Sequence, residues 1–321
     1  MRIAIINITG GGISGGYKKY LINILPKLAN HKVVEKILCA TPNNIKIMNW
    51  MDDHKKISHV KCNNYKPFFH KLDLELRKQL EIFRPDIIFV PVERFFSFKN
   101  IPVVTMLQTM EPLVKIQGNN FIEKFIQYIQ YKNAKKALTN SKRIIALSNF
   151  VKDEIVNQWM VPLNNIKLIY HGINIPHKTN KELKEVNGVH ARDDFFFTAG
   201  SLRPARGLED ILEAFLKYKK NIDCNSKLII AGRTSPRMVN YVEKLKKWTR
   251  NNRIDKNIIW FDNLNLMEME FFYKNSSAFI MSSRVESFGM IAGEAMACGS
   301  LCISADNPCL PEIFSGTAIL Y

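Results

Sequence analysis

Cysteine is sparse and scattered in this chain: Cys39, Cys62, Cys224, Cys298, Cys302 and Cys309 include no C-x-x-C pair. That excludes a zinc ribbon or a dithiol redox site, and free, buried thiols are expected, above all for the last three, which fall on apolar segments. Histidine offers no metal site either. His54, His59, His70, His171, His177 and His190 show no i, i+4 pairing with a carboxylate partner, so no metal is expected. Long apolar runs are missing: no uncharged stretch approaches the roughly 20 residues that cross a bilayer. The short run Ile3 to Ile6 leads straight into glycines with no small-residue cleavage site, so no secretory leader is read and the cytoplasm is the expected location.

Acidic residues are also in deficit. The chain of 321 residues carries 46 Lys+Arg against 29 Asp+Glu, a formal charge of +17. The deficit is uneven: residues 1–172 hold 26 basic and 12 acidic residues (net +14), the remainder 20 and 17 (net +3). A basic first half concentrates anionic partners such as phospholipid head groups, a pyrophosphate-linked acceptor or nucleic acid. A lysine-rich surface that only keeps the protein soluble accounts for the same numbers.

What is present is a repeated α/β pattern, with 46% hydrophobic residues to supply two cores. Arg2 to Asn7 reads as a buried strand that runs into Gly10, Gly11, Gly12, Ser14, Gly15 and Gly16. A helical face follows, carried by Tyr20, Leu21, Ile24, Leu25 and Leu28. Further strands are expected at Glu35 to Ala40, Asp86 to Val90, Pro102 to Leu107 and Arg143 to Leu147. Between Tyr170 and Asp194 the periodicity lapses around Pro176, Asn180 and Gly188. A second series then begins, with strands at Phe195 to Ala199, Lys227 to Ala231, Asn257 to Phe261, Ala278 to Ser282, Ser300 to Ser304 and Ala318 to Tyr321. Helices are expected between them at Leu208 to Tyr218, Met238 to Asn251, Glu268 to Lys274 and Ile291 to Cys298. The expected fold is α/β: two Rossmann-like, doubly wound domains facing a cleft, at 1–172 and 194–321, with a linker at 173–193. Asp52-Asp53 and Asp193-Asp194 read as solvated turns. The stretch Phe121 to Arg143 reads as a helix rich in both aromatics and lysines; it suits an anionic membrane surface, but packing of its apolar face on the first sheet is the preferred expectation.

The segment from Arg284 to Gly299 carries the chemistry. It follows a strand, turns at Gly289 and opens a small-residue helix whose first N–H groups would lack partners, a natural phosphate site. Glu286 and Glu294, separated by seven residues, bracket it. Carboxylates there would repel a diphosphate, so they are expected to accept hydrogen bonds from sugar and ribose hydroxyls. A second loop, Gly200-Ser201-Leu202-Arg203-Pro204-Ala205-Arg206-Gly207, lies between a strand and a helix and presents two cations for a diphosphate.

These segments resemble the retaining glycosyltransferases of family 4, with their two glutamates seven residues apart, the preceding Ser282-Ser283 and the closing Glu-Ala-Met-Ala-Cys-Gly. In the second loop the family usually has arginine after the first glycine and lysine before the last; here Ser201 and Arg206 stand there, with Arg203 shifted. Gly15 and Gly16 resemble the family's glycine loop near the donor phosphates and the acceptor, and the spacing is not the G-x-G-x-x-G of dinucleotide folds. Arg84-Pro85-Asp86, Ser148-Asn149-Phe150 and Tyr170-His171-Gly172-Ile173-Asn174 extend the likeness. Gln108 occupies the place where many relatives have a histidine near the sugar.

The resemblance implies a GT-B fold and a metal-independent hexosyl transfer, needing no cofactor, from a nucleotide-sugar to a glycan or lipid-linked acceptor. It implies catalytic roles for Glu286, Arg206 and Gln108. Donor contacts are implied for Gly15, Gly16, Ser201, Arg203, Arg206, Phe288, Gly289, Met290, Ile291 and Glu294. By analogy the setting is polysaccharide or lipopolysaccharide synthesis at the inner face of the membrane, with peripheral contact and no nucleic acid partner. Two alternatives stay open: a sugar-nucleotide epimerase of the same architecture, for which no converging acid/base set is seen, and a catalytically impaired basic binding protein for membrane or nucleic acid. Relatives continue into further helices past the strand at Ala318 to Tyr321, where this sequence ends.

Overall fold

A computed structural model describes residues 1–8, 15–42, 53–63, 73–111, 113–114, 121–174, 183–222 and 225–321. Gly10, Gly11, Gly12, Ser14, Asp52, His70, Pro176, His177, Asn180 and Cys224 therefore lie outside the described residues. The chain divides into two compact units. Met1–Leu113 and Phe121–Tyr170 belong to the first, His171–Tyr321 to the second.

The first unit is a parallel sheet of β1 (Arg2–Ile6), β2 (Lys36–Pro42), β3 (Ile57–Cys62), β4 (Ile87–Val90), β5 (Val103–Met106), β6 (Arg143–Ala146) and β7 (Ile166–Leu168), in the order β3-β2-β1-β4-β5-β6-β7. Central strands are buried on both faces, which is why they read as unbroken apolar runs: Ile3 pairs with Ile37 on one side and Ile87 on the other, and Ile5 and Ile6 are fully buried. The helices are α1 (Gly15–Asn30), α2 (Leu74–Phe83), α3 (Phe121–Asn140) and α4 (Asn149–Trp159). Two of the sequence signposts turn out to be helix terminators and caps. Arg84 ends α2 in the left-handed region at φ 49, and Asp86 anchors the next strand by accepting the N–H of Arg2 at 2.7 Å. Ser148 caps α4, accepting from the N–H of Val151 at 3.2 Å.

Packing of α3 differs from the sequence expectation. Ala134, Ala137 and Leu138 turn inward and are fully buried, but Phe121, Phe125 and Tyr128 are exposed. The reason lies in helical spacing: the aromatic residues fall on the opposite side of the helix from the buried alanines.

The second unit opens with a short hairpin, β8 (Glu185–Val186) and β9 (Val189–His190), inside the segment expected to be a linker. Its main sheet is β10 (Phe195–Ala199), β11 (Lys227–Ala231), β12 (Ile258–Phe261), β13 (Ala278–Met281), β14 (Cys302–Ser304) and β15 (Ile319–Leu320), ordered β12-β11-β10-β13-β14-β15 and parallel throughout. Helices α5 (Leu208–Ile222), α6 (Val239–Asn251), α7 (Leu266–Asn275), α8 (Met290–Ala297) and α9 (Leu310–Phe314) cover it. Alternation along β10 separates two cores. Phe195 and Phe197 meet Phe272 at ring distances of 5.8 and 5.1 Å, whereas Phe196 packs against a cluster of Leu208, Leu212, Phe215 and Leu245 from α5 and α6.

Asp193 and Asp194 lie in a turn, as expected, with Asp194 exposed, and they also have structural partners. Asp193 accepts Lys227 Nζ at 3.0 Å, and Asp194 accepts the hydroxyls of Ser226 and Ser277, so the pair ties the start of β10 to both neighbouring strands. The Lys227 ammonium holds the Asp193 carboxyl below its ordinary range. Cys39, Cys62, Cys302 and Cys309 are buried and Cys298 is half-buried, and none of the five is in a disulfide. Burial pushes Cys39, Cys62 and Cys302 up to about 12, which leaves them unreactive.

Candidate functional site

In the second unit the strand order reverses between β10 and β13, and the loops that follow these two strands meet there. That is where open parallel sheets bind ligands. The loop 200–207 after β10 and the segment 282–289 after β13 are stitched together by backbone contacts. Ser282 Oγ donates to the Arg206 carbonyl at 2.7 Å, the Arg284 N–H to the Ala205 carbonyl at 2.9 Å, and Arg284 Nη1 to the Pro204 carbonyl at 3.2 Å. Gly207 makes this approach possible. It sits at φ +60, and a Cβ there would stand 2.2 Å from the Ser282 carbonyl oxygen. Arg284 also pairs with Glu209 at 3.3 Å and Asp210 at 3.6 Å in the first turn of α5.

This stitching places Arg206 beside Glu286. The two form an ion pair through Arg206 Nη1 and Glu286 Oε1, each side chain only 17% exposed, and the same Nη1 donates to Ser283 Oγ at 3.0 Å. The guanidinium lies against Gly200, where a Cβ would be 3.1 Å from its Nε and 3.3 Å from Cδ1 of Ile291. Thr198, Gly200, Ser201, Arg206, Ser283 and Ile291 line one small crevice. The pair Ser282-Ser283 is buried, and Asn307 fixes the Ser283 carbonyl at 2.7 Å.

Helix α8 opens on this crevice with no side-chain cap. Its N-cap is Gly289 at φ 87, where a Cβ would lie 2.8 Å from a ring carbon of Phe314, so no side chain fits between α8 and α9. Met290 and Ile291 begin the helix, where the first N–H groups have no partner within the helix itself and the peptide dipoles present their positive end, both suited to an anion. Phe288 is buried and meets His171 edge-on at 5.4 Å. Burial pulls the His171 imidazole down to about 4, so the ring is neutral near pH 7. Glu294, one turn into α8, is half-buried close to Tyr273 of α7; burial, and then the Glu294 charge, raise the Tyr273 hydroxyl well above its ordinary range.

Arg206, Phe288, Gly289, Met290, Ile291, Glu286 and Glu294 are thus gathered around one strand-end region. Arg203 is half-buried at the start of the loop's short 3-10 turn, and Ser201 is exposed. Gly15 and Gly16 open α1 in the first unit. Gln108 also belongs to the first unit: it follows β5, half-buried, and its N–H donates to Glu93 Oε2 at 3.1 Å. Burial pushes the Glu93 carboxyl up, against the opposing hydrogen bonds from the Gln108 and Thr109 backbone. The sequence pointed to neither Glu93 nor Tyr273, and it named Ser283 and Arg284 only as part of the motif, with no role of their own. Ser283 and Arg284 carried a signal, directly after a strand; Glu93 and Tyr273 had none. Among the described residues no group of three or more His, Cys, Asp or Glu is arranged to hold a metal ion.

Residues 14–176 match Glycosyltransferase Family 4 and residues 179–318 match Glycosyl transferases group 1. An uncharacterized glycosyltransferase of Methanocaldococcus jannaschii is 30% identical over 179 residues, 56% of this chain and 44% of that protein. The O-antigen chain mannosyltransferase RfbU of Salmonella typhimurium is 24% identical over 199 residues, 61% of this chain and 52% of that protein. The chain therefore spans about half the length of the curated relatives it matches. Among solved structures, Anabaena HepE in complex with UDP and glucose superimposes with a TM-score of 0.72 at 16% identity, over 100% of this chain and 85% of that one. WaaG, a glycosyltransferase involved in lipopolysaccharide biosynthesis, gives 0.66 at 12%, over 98% and 83%.

Proposed function

The chain belongs to Glycosyltransferase Family 4, and from that premise we propose that it transfers a hexose, with retention at the anomeric carbon, from a nucleotide-diphosphate sugar to a glycan or lipid-linked acceptor. The observation that carries this reading is the junction of Arg206, Glu286 and the uncapped start of α8 at the strand-order reversal. In the proposed reaction the bond from C1 to the diphosphate oxygen breaks as the acceptor oxygen bonds to C1 from the same face. The acceptor's proton passes to the departing phosphate oxygen. No protein nucleophile is needed.

The protein's part is to stabilise charge that grows on the leaving diphosphate. Arg206 and the N–H groups of Met290 and Ile291 are fixed before the donor arrives, so little reorganisation accompanies bond breaking. Glu286 spends Oε1 on Arg206, and its second oxygen remains to orient a sugar hydroxyl. Glu294, one turn further on, is assigned to the ribose. Gln108 is assigned a positioning role, since an amide donates and accepts hydrogen bonds but does not exchange a proton at neutral pH. The likeness to an O-antigen chain mannosyltransferase favours cell-surface polysaccharide or lipopolysaccharide as the setting.

Thermal unfolding with UDP, GDP, ADP and their common sugar conjugates tests the donor assignment. One nucleotide is expected to raise the melting temperature selectively, and Arg206→Ala and Glu294→Ala should each abolish the rise. Absence of a response to every nucleotide would sink the proposal. Retention is then read from the anomeric configuration of the product by NMR; an inverted linkage would remove that part alone.

A further inference from the structure

The first unit has a strand-order reversal of its own, between β1 and β4, and the residues that follow β1, β4 and β5 are stitched together there. Arg94, after β4, donates through Nη1 to the Ile8 carbonyl at 2.7 Å, and Glu93 accepts the Gln108 N–H at 3.1 Å. Thr109 brings a second backbone N–H to the same carboxyl. Asn7, fully buried at the end of β1, accepts the Tyr17 hydroxyl at 2.6 Å and donates to the Ala40 carbonyl at 3.0 Å. Glu93, Arg94, Gln108 and Thr109 are half-buried, so each keeps part of its surface open.

The chemistry of this cluster runs against the charge of its unit. Residues 1–172 carry 26 basic against 12 acidic residues, yet here the arginine is engaged by a backbone carbonyl and the group beside it is a carboxyl. Burial already disfavours the charge on Glu93, and a phosphate or carboxylate next to it would add like-charge repulsion. Sugar hydroxyls suit the same groups: a carboxylate accepts from them, and a carboxamide and a threonine hydroxyl both donate and accept. We infer that Glu93 makes this strand-end cluster select an uncharged sugar and turn away an anionic one. The inference rests on the transfer proposed above in one respect, that this sugar is then the part of the acceptor that receives the hexose.

Saturation-transfer NMR titrations on the full chain, without nucleotide, test the inference. The probes are the methyl glycosides of glucose, galactose and mannose and the three corresponding methyl uronides, which differ in carrying a carboxylate on the sugar. At least one neutral glycoside should bind, and its uronide should bind about tenfold more weakly or worse. Glu93→Gln keeps the shape of the side chain and its hydrogen bonding but removes the charge. In that variant neutral binding should stay within about threefold, and the preference over the uronide should fall to about threefold or less. Glu286→Gln makes the same change in the second unit; a preference lost there and kept in Glu93→Gln would move the sugar to that unit and overturn the inference. So would a uronide that binds as tightly as its neutral partner, a preference unchanged by Glu93→Gln, or silence from all three neutral glycosides. Because nucleotide is absent, a failure of every nucleotide to shift the melting temperature would sink the donor reading and leave this selectivity standing.

Discussion

Both units build the same sheet order, yet they use their charges in opposite ways. The second unit, with 20 basic against 17 acidic residues beyond position 172, spends cations inside its structure. Arg206 holds Glu286, Arg284 ties two loops to the start of α5, and Lys227 secures the entry to β10. In the first unit the cations of α3 are left on the surface beside exposed aromatics. The difference teaches that net charge alone is a poor guide to a binding site. The paired arginine lies in the crevice proposed for the donor, and the lysines lie on the surface.

The largest expected effect tests whether the second unit's loops are one object. Gly207→Ala places a Cβ against the Ser282 carbonyl at a backbone angle that L side chains rarely adopt. It should cost on the order of 4 kcal/mol, among the larger losses a single substitution causes. Hydrogen exchange should speed up in β10, β13 and α5 and stay unchanged in β1 and β4. Uniform loss of protection across both units would mean that this junction is not a local feature.

Next in size is the loss of Arg206. Arg206→Ala removes a preorganised cation and leaves Glu286 half-buried without its partner, so transfer should fall about 10²- to 10³-fold together with the nucleotide-dependent thermal shift. Glu93→Ala, in the first unit, should leave that shift intact, because Glu93 supports the Gln108 backbone rather than the donor loops. A shift lost equally in both variants would break the assignment of the donor to the second unit.

Much of this was legible in the sequence, for a physical reason. Strands buried on both faces read as apolar runs, so β1, β4, β10 and β11 were found within a residue or two. The edge strands of the first sheet were not: β3 mixes Ser58, His59 and Lys61 with apolar residues, and β7 has only three residues. The hairpin of β8 and β9 did leave a signal that went unread. Asn187-Gly188, at φ 49 and 80, is the dipeptide that tight two-residue hairpin turns favour. At the site, the motif residues were legible because they are close in sequence. The pairing of Arg206 with Glu286 was not, because it joins residues 80 apart that only the parallel sheet brings together.

The smallest effect contrasts the two units through pH. His171, pulled down to about 4, stays neutral in the folded second unit while an unfolded chain takes up its proton near 6.5. Between those values the unfolded state binds more protons, so the second unit should weaken as pH falls from 6.5 towards 4. Glu93 has the opposite sign. Its carboxyl is raised above 4.5, so the folded first unit keeps a proton that the unfolded chain has released, and this contribution declines as pH rises from there. His171 is only half-buried, so its effect should be of order 1 kcal/mol. Amide exchange at pH 4.5 and 6.5, corrected for intrinsic rates, should show protection of β10 and β13 falling with acid while that of β4 and β5 rises. His171→Gln should flatten only the first trend and Glu93→Gln only the second. Parallel trends that neither substitution alters would mean that these two groups do not govern the pH response, and that the surface charge of the first unit dominates it instead.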